Sequence, residues 1–118
     1  MEDVINRKDV VSPLELENDI KEIYLYSLDT FGRRKADEYL DALKHHIRQL
    51  ADGYLMYPEC RQLPTKGKIY RRVIVESHII IYRIAKRVEV LRIFHSASSN
   101  RKIRSARTVN ILIDNLKS

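Results

Sequence analysis

Four arginines and a histidine, Arg71, Arg72, Arg83, Arg92 and His95, recur between residues 69 and 96. Guanidinium groups can neutralise the charge that builds on a phosphorane, and an imidazole can give or take a proton near neutral pH. Such a cluster is chemically sufficient for metal-free cleavage of RNA, and Glu59 could serve as an additional base. The same residues also suit a rim that pairs with acidic helix faces, with His95 ending a strand and its ring hydrogen-bonded. Residue types alone leave both open. Other chemistries find less support. His45 and His46 are neighbours that would point about 100° apart on a helix, and His78 and His95 have no nearby cysteine or spaced carboxylate, so no metal is expected. Cys60 lies in a proline-flanked loop without a nucleophile-elbow motif. The three glycines fall at helix ends or in a turn, which provides no phosphate-cradling loop and implies no cofactor.

The elements that must position the cluster follow from periodicity. Residues 69–96 are the densest β-branched stretch, broken near Ser77 and at Ala85-Lys86-Arg87, which predicts three consecutive antiparallel strands. The middle one, His78 to Ala85, is apolar on both parities, as a strand covered on both faces should be. Strict alternation would put Val88, Val90, Arg92 and Phe94 on one face of the last strand and Glu89, Leu91, Ile93 and His95 on the other. Upstream, Asp9-Val10-Val11 suggests a short edge strand. Ser12-Pro13-Leu14-Glu15 offers a capping box with proline at the first helical position.

Leu16, Ile20, Ile23, Ser27 and Phe31 form one helical stripe that Gly32 would end. After a Gly32-Arg33-Arg34 connection, Ala36, Leu40, Leu43, Ile47 and Leu50 form a second, ending near Gly53. So short a link forces an antiparallel hairpin whose two stripes can face one sheet, giving an α+β fold with Tyr24, Tyr26 and Tyr39 flanking the seam. Tyr54 to Lys68, with Pro58, Pro64 and Gly67, is expected as a loop. Ser98 to Lys102 is expected as a basic turn, and an extra C-terminal helix is expected over about Ser105 to Leu116, with Val109, Leu112, Ile113 and Leu116 on one side.

Composition sets the outer bounds. A chain of 118 residues, 44% hydrophobic and 32% charged, suits one soluble domain, with a core at about 7–96 and an extension from about residue 101. No apolar run approaches a membrane span, and the first residues hold no secretory h-region, so a cytoplasmic location is expected. The net charge of +6 hides a segregation: residues 1–60 carry 8 Lys/Arg against 13 Asp/Glu, a balance of −5. Residues 61–107 carry 13 against 2, a balance of +11. That field favours a polyanion or an acidic protein partner, and it also serves plain solubility.

The ordered set Ser12-Pro13, Asp19-Ile20, Ile23-Tyr24, Phe31-Gly32, Ala36, Tyr39-Leu40, Leu43, Leu50-Ala51, Pro58, Tyr70-Arg71-Arg72, His78 to Arg83 and Leu91 to His95 resembles the RelE/ParE superfamily of bacterial type II toxins. The resemblance implies a two-helix hairpin packed on a small antiparallel sheet, growth inhibition and plasmid stabilisation, and an antitoxin from a neighbouring gene that wraps and neutralises the toxin. RelE-like and YoeB-like members cut mRNA on the ribosome, whereas ParE-like members act on DNA gyrase and are not nucleases. The cleaving branch typically places an arginine soon after the strand-opening histidine and a tyrosine or similar group near the carboxyl end. Here Ile79 follows His78 and Ser96 follows His95, so the resemblance points to the gyrase-directed branch. The alternatives are a ribosome-dependent ribonuclease using Arg72, Arg83 and His95, or a degenerate homologue that only binds antitoxin. In either toxin reading Arg71, Arg72, Arg83, Arg92 and His95 are the candidates to meet target or partner.

Overall fold

The computed structural model describes residues 7–111. Strand β1 (Val10–Val11) leads into helix α1 (Leu14–Phe31) and helix α2 (Arg33–Gly53). Strands β2 (Tyr70–Val75), β3 (His78–Ile84) and β4 (Val88–His95) follow, then helix α3 (Asn100–Arg104) and a 3-10 turn at Ser105–Thr108. The sheet order is β1-β4-β3-β2. The three long strands are antiparallel as expected. The short edge strand pairs parallel to β4, Val10 opposite Val88, which makes the sheet mixed rather than purely antiparallel.

The hairpin link is tighter than its sequence suggests. Arg33 and Arg34 already belong to α2, and Gly32 alone makes the turn at φ 88° and ψ 171°. Its N–H donates to the Leu28 carbonyl and its own carbonyl accepts from Ala36, so one residue closes the first helix and opens the second. Only glycine occupies that region of backbone space readily. At the other end of α1 the capping box does not form. Buried Pro13, extended at φ −80° and ψ 166°, is itself the cap, and its carbonyl accepts from Leu16 N–H, which leaves Ser12 one position too early.

The sheet carries an apolar layer on each face. Leu16, Leu43 and Leu50 from the hairpin pack with Val73, Ile80, Tyr82 and Val90. On the other face Cys60 and Leu63 from the 54–68 loop, with Ile103 and Ala106 from the C-terminal segment, pack on Ile81, Leu91 and Phe94. This double cover explains why β3 is apolar on both parities. The loop is stapled to β2: Cys60 N–H donates to the Tyr70 carbonyl, Arg72 N–H donates to Pro58, and the Glu59 carboxylate accepts from Thr65 N–H. Glu59 is thereby a loop brace, not a free base.

Two further expectations need correction. The register between β3 and β4 slips at Ile81/Tyr82, where a bulge inserts Leu91. Alternation breaks there, so Val88, Val90 and Ile93 join the hairpin-side core while Leu91 and Phe94 face the other way. The C-terminal helix also begins earlier. Ser99 accepts a hydrogen bond from Lys102 N–H and starts α3, where a basic turn was expected. The helical path ends at Thr108, and Val109 is already extended. A three-residue period carries Ile103 and Ala106 onto the sheet, which suits a 3-10 path better than an α-helix there. Leu112, Ile113 and Leu116 of the expected helix lie outside the described residues.

Candidate functional site

The five proposed site residues do not gather at one point. Arg71 is spent on the backbone: its Nε donates to the Lys68 carbonyl, and its Nη1 donates to the carbonyls of Leu55 and Tyr57. Arg72 is half-buried, opposite Ile81 and midway along the edge strand β2. Arg83 donates to Glu89 at 2.6 Å and lies over the Tyr70 ring. Arg92 holds Asp19 through Nε at 2.7 Å and Nη2 at 3.0 Å, and that carboxylate also accepts from Ile93 N–H. Asp19 thus satisfies the edge of β4 where β1 has run out. Its hydrogen bonds and charge keep the Arg92 guanidinium raised above its ordinary pKa despite partial desolvation. His95 is at the opposite end of the sheet from Arg83. Arg83 pairs with Glu89 in register, and His78 pairs with His95 five residues along β3, a separation of about 16 Å at the usual strand rise.

What the fold does bring together is a pair of histidines. The His78 and His95 rings meet edge-on with centroids 5.5 Å apart. Hydrogen bonds through Nδ1 orient both rings. Tyr39 Oη lies 2.8 Å from the Val75 carbonyl and 2.7 Å from His78 Nδ1. A carbonyl can only accept, so the phenol donates to Val75 and His78 Nδ1–H donates to the phenol, which leaves Nε2 of neutral His78 with its lone pair. His95 is the reverse: Ala97 N–H donates to its Nδ1, so the proton of the neutral ring sits on Nε2. Burial, reinforced by neighbouring His95, pushes the His78 pKa below its ordinary value.

His78 stands between adjoining cavities of about 360 and 550 Å³ at the end of α1; Tyr26, Phe31, Ser77 and His78 line both, and His95 lines the second. Lys35 and Glu38 border the first, and Lys102 and the Arg92 pair border the second. Tyr26 is 64% exposed and Phe31 58%, so the last turns of α1 offer aromatic surface at the cleft mouth instead of completing the core stripe. Sequence reasoning singled out His95 but not His78, Tyr26 or Phe31 as site residues. Without the bulge His78 would face Phe94, and no residue pattern announces that one-residue slip.

A hairpin-on-sheet arrangement of this kind defines a class of small α+β proteins. A solved structure described as the chromosomal ParDE TA system from P. aeruginosa shares the fold, with a TM-score of 0.62 at 16% identity, covering 76% of this chain and 97% of that one. The family model for the ParE toxin of the type II toxin-antitoxin system, parDE, matches residues 14–99. Toxin ParE1 of Caulobacter vibrioides is 30% identical over 83 residues, 70% of this chain and 83% of the relative. The chain belongs to the ParE toxin family.

Proposed function

We propose that this ParE-family toxin inhibits DNA gyrase and is neutralised by a cognate antitoxin encoded beside it. The observation that carries the reading is the family match across residues 14–99, which takes in the whole hairpin and all three long strands. Geometry adds support. A ribonuclease built on Arg72, Arg83 and His95 needs them around one phosphate, but Arg83 is committed to Glu89 at the far end of the sheet from His95. With Arg71 and Arg92 likewise engaged, those arginines act as framework. His95, exposed at the cleft, and half-buried Arg72, which no carboxylate pairs with among the described residues, are the members of the set left to meet a target or partner.

The antitoxin reading draws on the cleft. An amphipathic segment could seat an apolar side chain between Tyr26 and Phe31, with its acidic groups reaching Lys35 and Lys102 at the cleft border. Gyrase supercoiling assays with the purified chain test the target. Loss of supercoiling or accumulation of cleavage complexes is expected, and unchanged levels of both would remove the reading. Co-purification of the untagged product of an adjacent small gene tests the antitoxin separately. Tyr26→Ala should weaken that complex, and absence of any complex at low salt would count against it.

A further inference from the structure

The cover of the second sheet face forms one basic surface. Arg61, Lys66 and Lys68 on the loop and Arg101, Arg104 and Arg107 on the C-terminal segment are all exposed. The two segments are locked together: Gln62 donates to Asn100 at 3.0 Å, Leu63 and Ile103 share a buried cluster, and the Arg107 guanidinium lies 5.8 Å from the centre of the Tyr70 ring. Arg101, Arg104 and Arg107 recur at steps of three beside Ile103 and Ala106, so the period that turns the apolar pair onto the sheet turns the arginines away from it. Glu59 is the one carboxylate in residues 58–72 and 98–111, and it is turned inward to Thr65. Among the described residues no carboxylate pairs with any of the six.

Three features select the ligand. A dense row of uncompensated cations gains most from a polyanion, through release of its condensed counterions. A protein partner would need apolar or aromatic anchors. None of the exposed large apolar side chains falls within the six-cation set: they are on α1, at Leu55 and Met56 where the loop begins, and at Ile74 on β2. A single strand would need exposed rings on which bases could stack, yet Tyr70 and Phe94 are buried under the cover. We propose that this face docks on the phosphate backbone of duplex DNA without regard to sequence. None of these six cations lines the cavities beside the histidines, and the proposal does not rest on gyrase being the target.

The test is fluorescence anisotropy of a labelled random-sequence duplex titrated with the full chain between about 50 and 200 mM salt, where each phosphate contact contributes about 0.9 to the slope of log affinity against log salt. Binding at the lower salt is expected. Arg101→Gln/Arg104→Gln, at exposed positions without carboxylate partners, should reduce the slope by about 2 and weaken binding at every salt concentration, while Arg101→Lys/Arg104→Lys should leave the slope unchanged. No binding at about 50 mM salt, or the same slope in the glutamine variant, would overturn the proposal. So would tighter binding to the matching single strand, or to polyglutamate, than to the duplex. A chain that binds duplex as expected but leaves gyrase untouched would refute only the gyrase reading.

Discussion

Asp19 and His78 carry most of what individual residues decide. Asp19 is about one-tenth exposed and serves three donors, two on Arg92 and the Ile93 amide. Asp19→Ala strands a half-buried guanidinium and a strand amide together, so it should cost about 2–3 kcal/mol. Asp19→Asn keeps an acceptor and should cost less. The urea midpoint reports both, and equal midpoints for wild type and Asp19→Ala would contradict the bracing role. His78 makes stability depend on pH. Its folded pKa lies below the unfolded value of about 6.5, so below that pH the unfolded chain binds more protons and stability falls as pH drops. The loss begins near pH 6.5 and continues down to the folded pKa. Denaturation at pH 7 and 5 should show this decline, and His78→Gln should flatten it. At this scale the sequence was only partly legible. It revealed that arginines cluster on the sheet strands, but not that Glu89 and Asp19 occupy two of them or that a bulge sets His95 opposite His78.

Elements show the complementary pattern. Both helical stripes and all three long strands were visible, because burying one face of a helix or both faces of a central strand imposes a period on residue type. What stayed hidden depends on a single dihedral or on a neighbour distant in sequence. Gly32 is one case: a Cβ there would meet nothing within 4 Å, so Gly32→Ala tests backbone conformation alone and should cost about 1–3 kcal/mol in thermal unfolding. An unchanged midpoint would mean that the one-residue link does not require glycine. The C-terminal segment is the other case. Its helix was expected five residues too late, since the apolar residues beyond Thr108 outweighed the serine cap, and Ile103 has value only against Ile81, Leu91 and Phe94. Ile103→Ala should therefore cost about 2–4 kcal/mol, far more than an exposed tail residue would. A loss under about 0.5 kcal/mol would show that the segment does not cover the sheet in solution.

For the whole molecule, the sheet separates two unlike covers. The hairpin side carries most of the acidic residues and ends in an aromatic-lined cleft, while the opposite cover is basic and lacks exposed rings. The segregation was legible as a balance of −5 against +11, but its meaning was not. Only the fold shows that loop 54–68 and the C-terminal segment, separated by three strands, form one surface, and that Glu89 and Asp19 neutralise Arg83 and Arg92 within the sheet. In the two proposals these faces meet different partners, a protein segment at the cleft and phosphate on the cover. The target question is decided by adding the purified chain to gyrase with relaxed plasmid and following supercoils and cleavage complexes together, with translating ribosomes probed by primer extension in parallel. Supercoiling should fall or cleaved DNA should rise with toxin concentration, while mRNA stays intact. New cuts in ribosome-bound message with gyrase unaffected would contradict the assignment.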